Sequence, residues 1–76
     1  MARAFIMINV APGHVESLQG SIQAMEMVLT AHIVAGEHDL IIEAEAADVN
    51  SLIRSVVTEI RSNVDVVDTK TYICLE

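Results

Sequence analysis

The spacing of apolar residues along this chain switches between two and three-to-four, and the order of the switches leaves few folds open. Ala4-Phe5-Ile6-Met7-Ile8-Asn9-Val10 is rich in bulky and β-branched side chains and stops at Pro12-Gly13, which predicts a strand. Val15, Leu18, Ile22 and Met25 then fall on one face of a helix, while Glu16, Ser17, Gln19 and Gln23 point elsewhere. Gly20 weakens that helix, since glycine costs about 1 kcal/mol relative to alanine in a helix interior. From Val28 to Ala35 the period returns to two, with Ala31, Ile33 and Ala35 opposite Thr30, His32 and Val34. Gly36-Glu37-His38-Asp39 interrupts it, and Leu40 to Ala46 resumes an alternation of Leu40, Ile42 and Ala44 against Ile41, Glu43 and Glu45. Two alternating runs joined by a short Gly-containing loop read as an antiparallel hairpin.

Asp48 is placed to cap the next helix, because its carboxylate accepts from free first-turn amides and suits the positive end of the dipole. Val49, Leu52, Ile53, Val56, Val57 and Ile60 form a broad apolar stripe behind it, with Arg54, Ser55, Thr58, Glu59 and Arg61 toward solvent. The tail from Val64 to Leu75 alternates once more. Val67, Thr69, Thr71, Ile73 and Leu75 face one way, and Val66, Asp68, Lys70, Tyr72 and Cys74 the other. The order is βαββαβ. Right-handed crossovers then place the first and third strands in the centre of a four-stranded antiparallel sheet with two helices on one face, an α+β ferredoxin-like sandwich. Ile6, Ile8 and Val10 are expected beneath the helices with Leu40 and Ile42. Phe5, Met7, Ile41, Tyr72 and Cys74 are expected on the uncovered face, an apolar patch that predicts dimerisation.

Size and composition point the same way. With 76 residues and no linker or low-complexity tract, residues 1–76 read as one domain. A chain this short buries only roughly 60% of its unfolded surface, and the single Cys74 excludes an internal disulfide. The apolar share is 53%, almost all aliphatic, which suggests a second buried surface at a subunit interface. Arg3, Arg54, Arg61 and Lys70 against eleven acidic residues give a net charge of -7, the wrong sign for direct contact with nucleic acid or an anionic membrane. No run approaches the ~20 apolar residues of a membrane span, and the N-terminal run lacks a small-x-small cleavage site. An acidic chain with one thiol fits a reducing cytoplasm.

Few residues invite chemistry. His14, His32 and His38 with Cys74 match no short metal-ligand spacing, so neither metal nor cofactor is expected. The loop Gly36-Glu37-His38-Asp39 is more informative: Gly36 lets a ligand approach backbone amides that suit a carboxylate, and Asp39 or Glu37 can receive an ammonium. The plainer alternative is that Gly36 supplies a positive φ and Asp39 bonds the turn's own amides. A small dimeric enzyme of monooxygenase or isomerase type, recruiting His32 or Asp39, ranks second because no acid, base and nucleophile recur at a recognisable spacing.

Val34-Ala35-Gly36-Glu37-His38-Asp39-Leu40 and Val67-Asp68-Thr69-Lys70-Thr71-Tyr72-Ile73, separated by the second helix, resemble the effector-binding (RAM) domain of the Lrp/AsnC transcription factors. The resemblance implies dimers formed through the sheets, rings of dimers, and a small ligand, commonly an amino acid, bound between dimers near the hairpin. Carried to this chain it points to Gly36, Glu37, His38 and Asp39, with Thr69, Thr71 and Tyr72 as weaker candidates. Family members that bind DNA carry an N-terminal helix-turn-helix domain, so the chain resembles a stand-alone version that acts through mixed oligomers with full-length relatives and not as an enzyme. His38 departs from the usual Tyr or Phe; an imidazole can stack, donate or change charge near neutral pH, which bears on ligand preference.

Overall fold

Strand β1 (Ala2–Val10) is the axis of the molecule, a computed structural model that describes residues 1–75. It pairs antiparallel with β3 (Leu40–Ala46) on one side and β4 (Val66–Ile73) on the other, and β2 (Val28–Ile33) closes the sheet beyond β3. The expected order of elements and the central position of the first and third strands are both present. Helix α1 (Val15–Gln23) follows a turn in which the His14 amide donates to the Ala11 carbonyl at 3.2 Å. Gly13 takes φ 86° there, so Pro12-Gly13 has the order that a type II turn requires.

Alternation in β1 and β3 sets the core. Ala4, Ile6, Ile8, Leu40, Ile42 and Ala44 have no exposed surface, and Leu18 and Ile22 of α1 cover them from one side. The second helical segment, 49–61, covers them from the other. It runs as α2 (Val49–Leu52), a π-helical stretch (Ile53–Val57) and α3 (Thr58–Arg61). Leu52, Val56 and Ile60 are its buried residues, at intervals of four. A step of four over-rotates an α-helix by about 40°, so two such steps would swing Ile60 away from the line of Leu52. The wider π turn rotates less per residue and brings the row back over the sheet. Thr58 Oγ1 supports it by donating to the Ile53 carbonyl, five residues back, at 3.0 Å. The apolar stripe is therefore narrower than its sequence suggests: Val49 and Ile53 are 41% and 43% exposed.

Among the differences from the sequence pattern, three bear on the packing. Strand β2 ends at Ile33 instead of Ala35, and α1 ends before Met25, which still packs against the core. The third difference changes which way side chains point. Between Asn9 and Val10 the pairing with β4 shifts register, so Val10 meets Val66 while Asn9 meets Asp68. Val67 is the extra residue and stands 69% exposed, whereas Val66, expected on the open face, packs against the core. A bulge adds one residue to one strand, which slips the alternation by one at that point.

The other sheet face has no helix on it. Phe5 lies there between Glu43 and Tyr72, and Met7 between Ile41 and Lys70. Phe5 and Tyr72 are 36% and 55% exposed. Among the described residues no helix is long and apolar enough to cross a membrane.

Asp48 caps the second helical segment as expected, accepting from the Ser51 amide at 2.7 Å. Those hydrogen bonds from the Ser51 backbone and side chain hold its carboxyl below the ordinary value of 3.8. The folded state thus binds this proton less readily than the unfolded chain, and the cap stabilises at pH above 3.8 and is lost as pH falls through the lowered value. Asp48→Ala is expected to lower the melting temperature at neutral pH, with the gap to the parent closing in acid; calorimetry across pH checks this.

Candidate functional site

The hairpin between β2 and β3 is tied to the end of β1 through Asp39. The Val34 amide donates to the Asp39 carbonyl at 2.9 Å, closing the loop, and the Asp39 amide donates to the Ile8 carbonyl at 2.9 Å. Its side chain finishes the attachment, with Oδ2 accepting from the Val10 amide at 2.8 Å. Val10 lies two residues beyond the last β1–β3 pair, Ile8 with Leu40, so the Asp39 carboxylate meets a backbone donor just past the end of that ladder. Asp39 is first of all part of the fold.

His38 is also engaged. Its Nδ1 lies 2.9 Å from Asn9 Oδ1, and an Nδ1–H donating to that oxygen leaves Nε2 as an acceptor. Asn9 belongs to the open face, opposite Asp68, so His38 is held at one end of the uncovered sheet. Sequence reading passed over Asn9. The available signal was a lone amide among the apolar positions of β1. Glu37 and Gly36 are exposed at the loop tip. Gly36 does not have the positive φ that a turn glycine suggests; Gly13 is the glycine that has it. A Cβ at Gly36 would meet nothing within 4 Å, so the loop approaches no other part of its own chain there.

The β4 candidates go elsewhere. Thr69 and Thr71 pair with Ile8 and Ile6 and therefore lie on the helix side of the sheet. They line a groove of about 360 Å³ with Ile53, Val57, Arg61 and Ile73. Tyr72 pairs with Phe5 and points to the open face, four residues along β1 from Asn9 and so about 13 Å away. One copy of the chain thus brings Asp39, His38 and Asn9 together, separates Tyr72 from them along the open face, and puts Thr69 and Thr71 on the opposite side. A hollow of about 500 Å³ between the helices, lined by Met25, Met27, Val56 and Glu59 among others, contains none of the seven candidates. Among the described residues no group of three or more His, Cys, Asp or Glu is arranged to hold a metal.

A four-stranded sheet covered on one side, with its β2–β3 hairpin braced on the central strand, defines a small α+β domain of ferredoxin-like type. The chain belongs to the Lrp/AsnC ligand binding domain family, whose model matches residues 3–76. No curated protein matches it. Among solved structures, hypothetical protein PHS023 from Pyrococcus horikoshii is 30% identical with a TM-score of 0.93, over 100% of this chain and 92% of that one. FFRP-DM1 is 31% identical with a TM-score of 0.93, over 99% of this chain and 100% of that one. A transcriptional regulator from Neisseria meningitidis, solved as an L-Met complex, shares the fold at 22% identity and a TM-score of 0.85, over 99% of this chain and 50% of that one.

The role of Asp39 in bracing the loop separates two substitutions. Asp39→Ala leaves the Val10 amide without its partner and is expected to cost about 1–3 kcal/mol, whereas Asp39→Asn keeps an acceptor and is expected to cost less. Urea titration of the two variants reads the difference.

Proposed function

We propose that the 76 residues form a single effector module that binds an amino acid or similar small molecule, self-associates, and acts in transcription regulation by joining DNA-binding relatives. Membership of the Lrp/AsnC ligand binding domain family across residues 3–76 carries this reading. The L-Met complex of a regulator with the same fold supports an amino acid as the ligand class. A binding role, not a catalytic one, is proposed on the same ground, and the cytoplasm as its compartment.

The proposed ligand site uses Gly36, Glu37, His38 and Asp39, where loop amides suit a carboxylate and Glu37 or the free Asp39 oxygen suits an ammonium. Thr69, Thr71 and Tyr72 are proposed to contribute from neighbouring copies, since one copy spreads them over two faces. Association through the open sheet would cover Phe5, Met7, Ile41 and Tyr72 together, and dimers are proposed to assemble further into rings.

Three measurements test this. Light scattering coupled to size exclusion is expected to show no 8.3 kDa species at micromolar concentration; a clean monomer overturns the association. In a thermal-shift panel at least one free amino acid is expected to raise the melting temperature by several degrees, since ligand at about 100-fold its Kd adds about 2.7 kcal/mol. If none does so for the folded protein, the amino-acid reading fails. With -7 net charge the protein alone is expected not to shift duplex DNA at physiological salt, and salt-sensitive binding would contradict the proposal that relatives supply the DNA contact.

A further inference from the structure

Both outer edges of the sheet present unpaired backbone groups, and the chain treats them differently. At one edge, β4 carries Asp68 and Lys70, and charges on an edge strand discourage another strand from pairing with it. At the other, β2 (Val28–Ile33) has no Asp, Glu, Lys, Arg or Pro. Leu29 and Ile33 are 45% and 50% exposed, and the run continues apolar through Val34 and Ala35. An uncharged, β-prone edge of this kind is a template for strand addition.

That edge is occupied by side chains of α1. Gln23 Oε1 accepts from the Ala31 amide at 3.0 Å, and Gln23 Nε2 donates to the Leu29 carbonyl at 3.4 Å. Gln19, one helical turn earlier, donates from Nε2 to the Ala31 carbonyl at 2.8 Å. The Gln23 carboxamide therefore takes an N–H and gives to the carbonyl two residues earlier, the stagger with which a residue of a parallel strand would pair. Both glutamines lie off the apolar stripe of α1, as its periodicity places them. We propose that Gln19 and Gln23 act as a substitute for a neighbouring strand, closing the β2 edge against addition of a second copy of this chain. Association is thereby directed away from β2. The device is independent of any ligand.

Hydrogen exchange and sedimentation velocity on the full chain test it. In Gln19→Ala/Gln23→Ala the Ala31 amide is expected to exchange about fivefold faster relative to Ile6 and Ile42, as loss of a hydrogen bond implies. Species heavier than the parent's are expected to grow with concentration, and adding Ile33→Lys, which charges the edge, is expected to restore the parent's size. Gln23→Glu keeps an acceptor for the Ala31 amide and is expected to keep its protection where Gln23→Ala does not. Should the double variant lose its circular dichroism, those two single variants decide the matter by the same readouts. An unchanged size distribution in the folded edge variants overturns the proposal, whether or not exchange accelerates, and so does a heavier species that Ile33→Lys leaves in place.

Discussion

The pairing of β1 with two neighbours at once is the constraint on which the rest depends. Ile6 meets Ile42 on one side and Thr71 on the other, so the face that Ile6 presents determines the face of both strands beside it. A slip of β1 by one residue against its neighbours would turn Ile6 and Ile8 out to water and Phe5 and Met7 in under the helices. The apolar side chains on the open face do not by themselves forbid that slip. Charge does: it would also bring Arg3 to the helix side, where an ion without compensating partners is costly, and away from Glu43 and Glu45. In the native register Arg3 instead reaches Glu43 and Glu45 at 3.5 and 3.2 Å on the open side. Such exposed pairs add little stability, but they mark the register. Asp39 then ties the hairpin to the same strand through Ile8 and Val10.

Much of this was legible in the residues because alternation is a local property. β3 alternates buried and half-buried positions without a break from Leu40 to Ala46, as its sequence reads, and Asp48 caps the helix it precedes. What escaped depends on a partner. The β4 bulge exists only in relation to β1, so Val66 and Val67 cannot be assigned a face from their own strand. The π stretch answers the fixed spacing of Leu52, Val56 and Ile60 over a sheet whose direction the helix sequence does not contain. Glutamine is polar on any helix wheel, and only tertiary placement makes Gln19 and Gln23 into partners for β2.

The candidate site was legible as two motifs but not as a pocket, for a related reason. Period two places Thr69 and Thr71 on one side of the sheet and Tyr72 on the other, so a motif contiguous in sequence is divided by the strand that carries it. The hairpin motif stays whole because it is a loop, yet two of its members are spent partly on the fold: Asp39 on the Val10 amide and His38 on Asn9. Bracing of this kind has a functional side. A loop whose carboxylate and imidazole are already oriented loses less freedom on meeting a ligand than a free loop would.

A sheet with helices on only one face would make folding and the proposed association draw on opposite sides of the same strands. Phe5 and Met7 alternate with Ile6 and Ile8, so whatever covers the open face also holds β1 in the register that builds the core. For a domain of 76 residues, whose own core is small, covering that face would add a sizeable share of buried apolar surface. A ligand seated where copies meet would add its binding free energy to that shared balance, favouring assembly by mass action and in turn binding more tightly to the assembled form. No large internal motion is required for such a response. The braced hairpin can stay as it is while the population of assemblies changes.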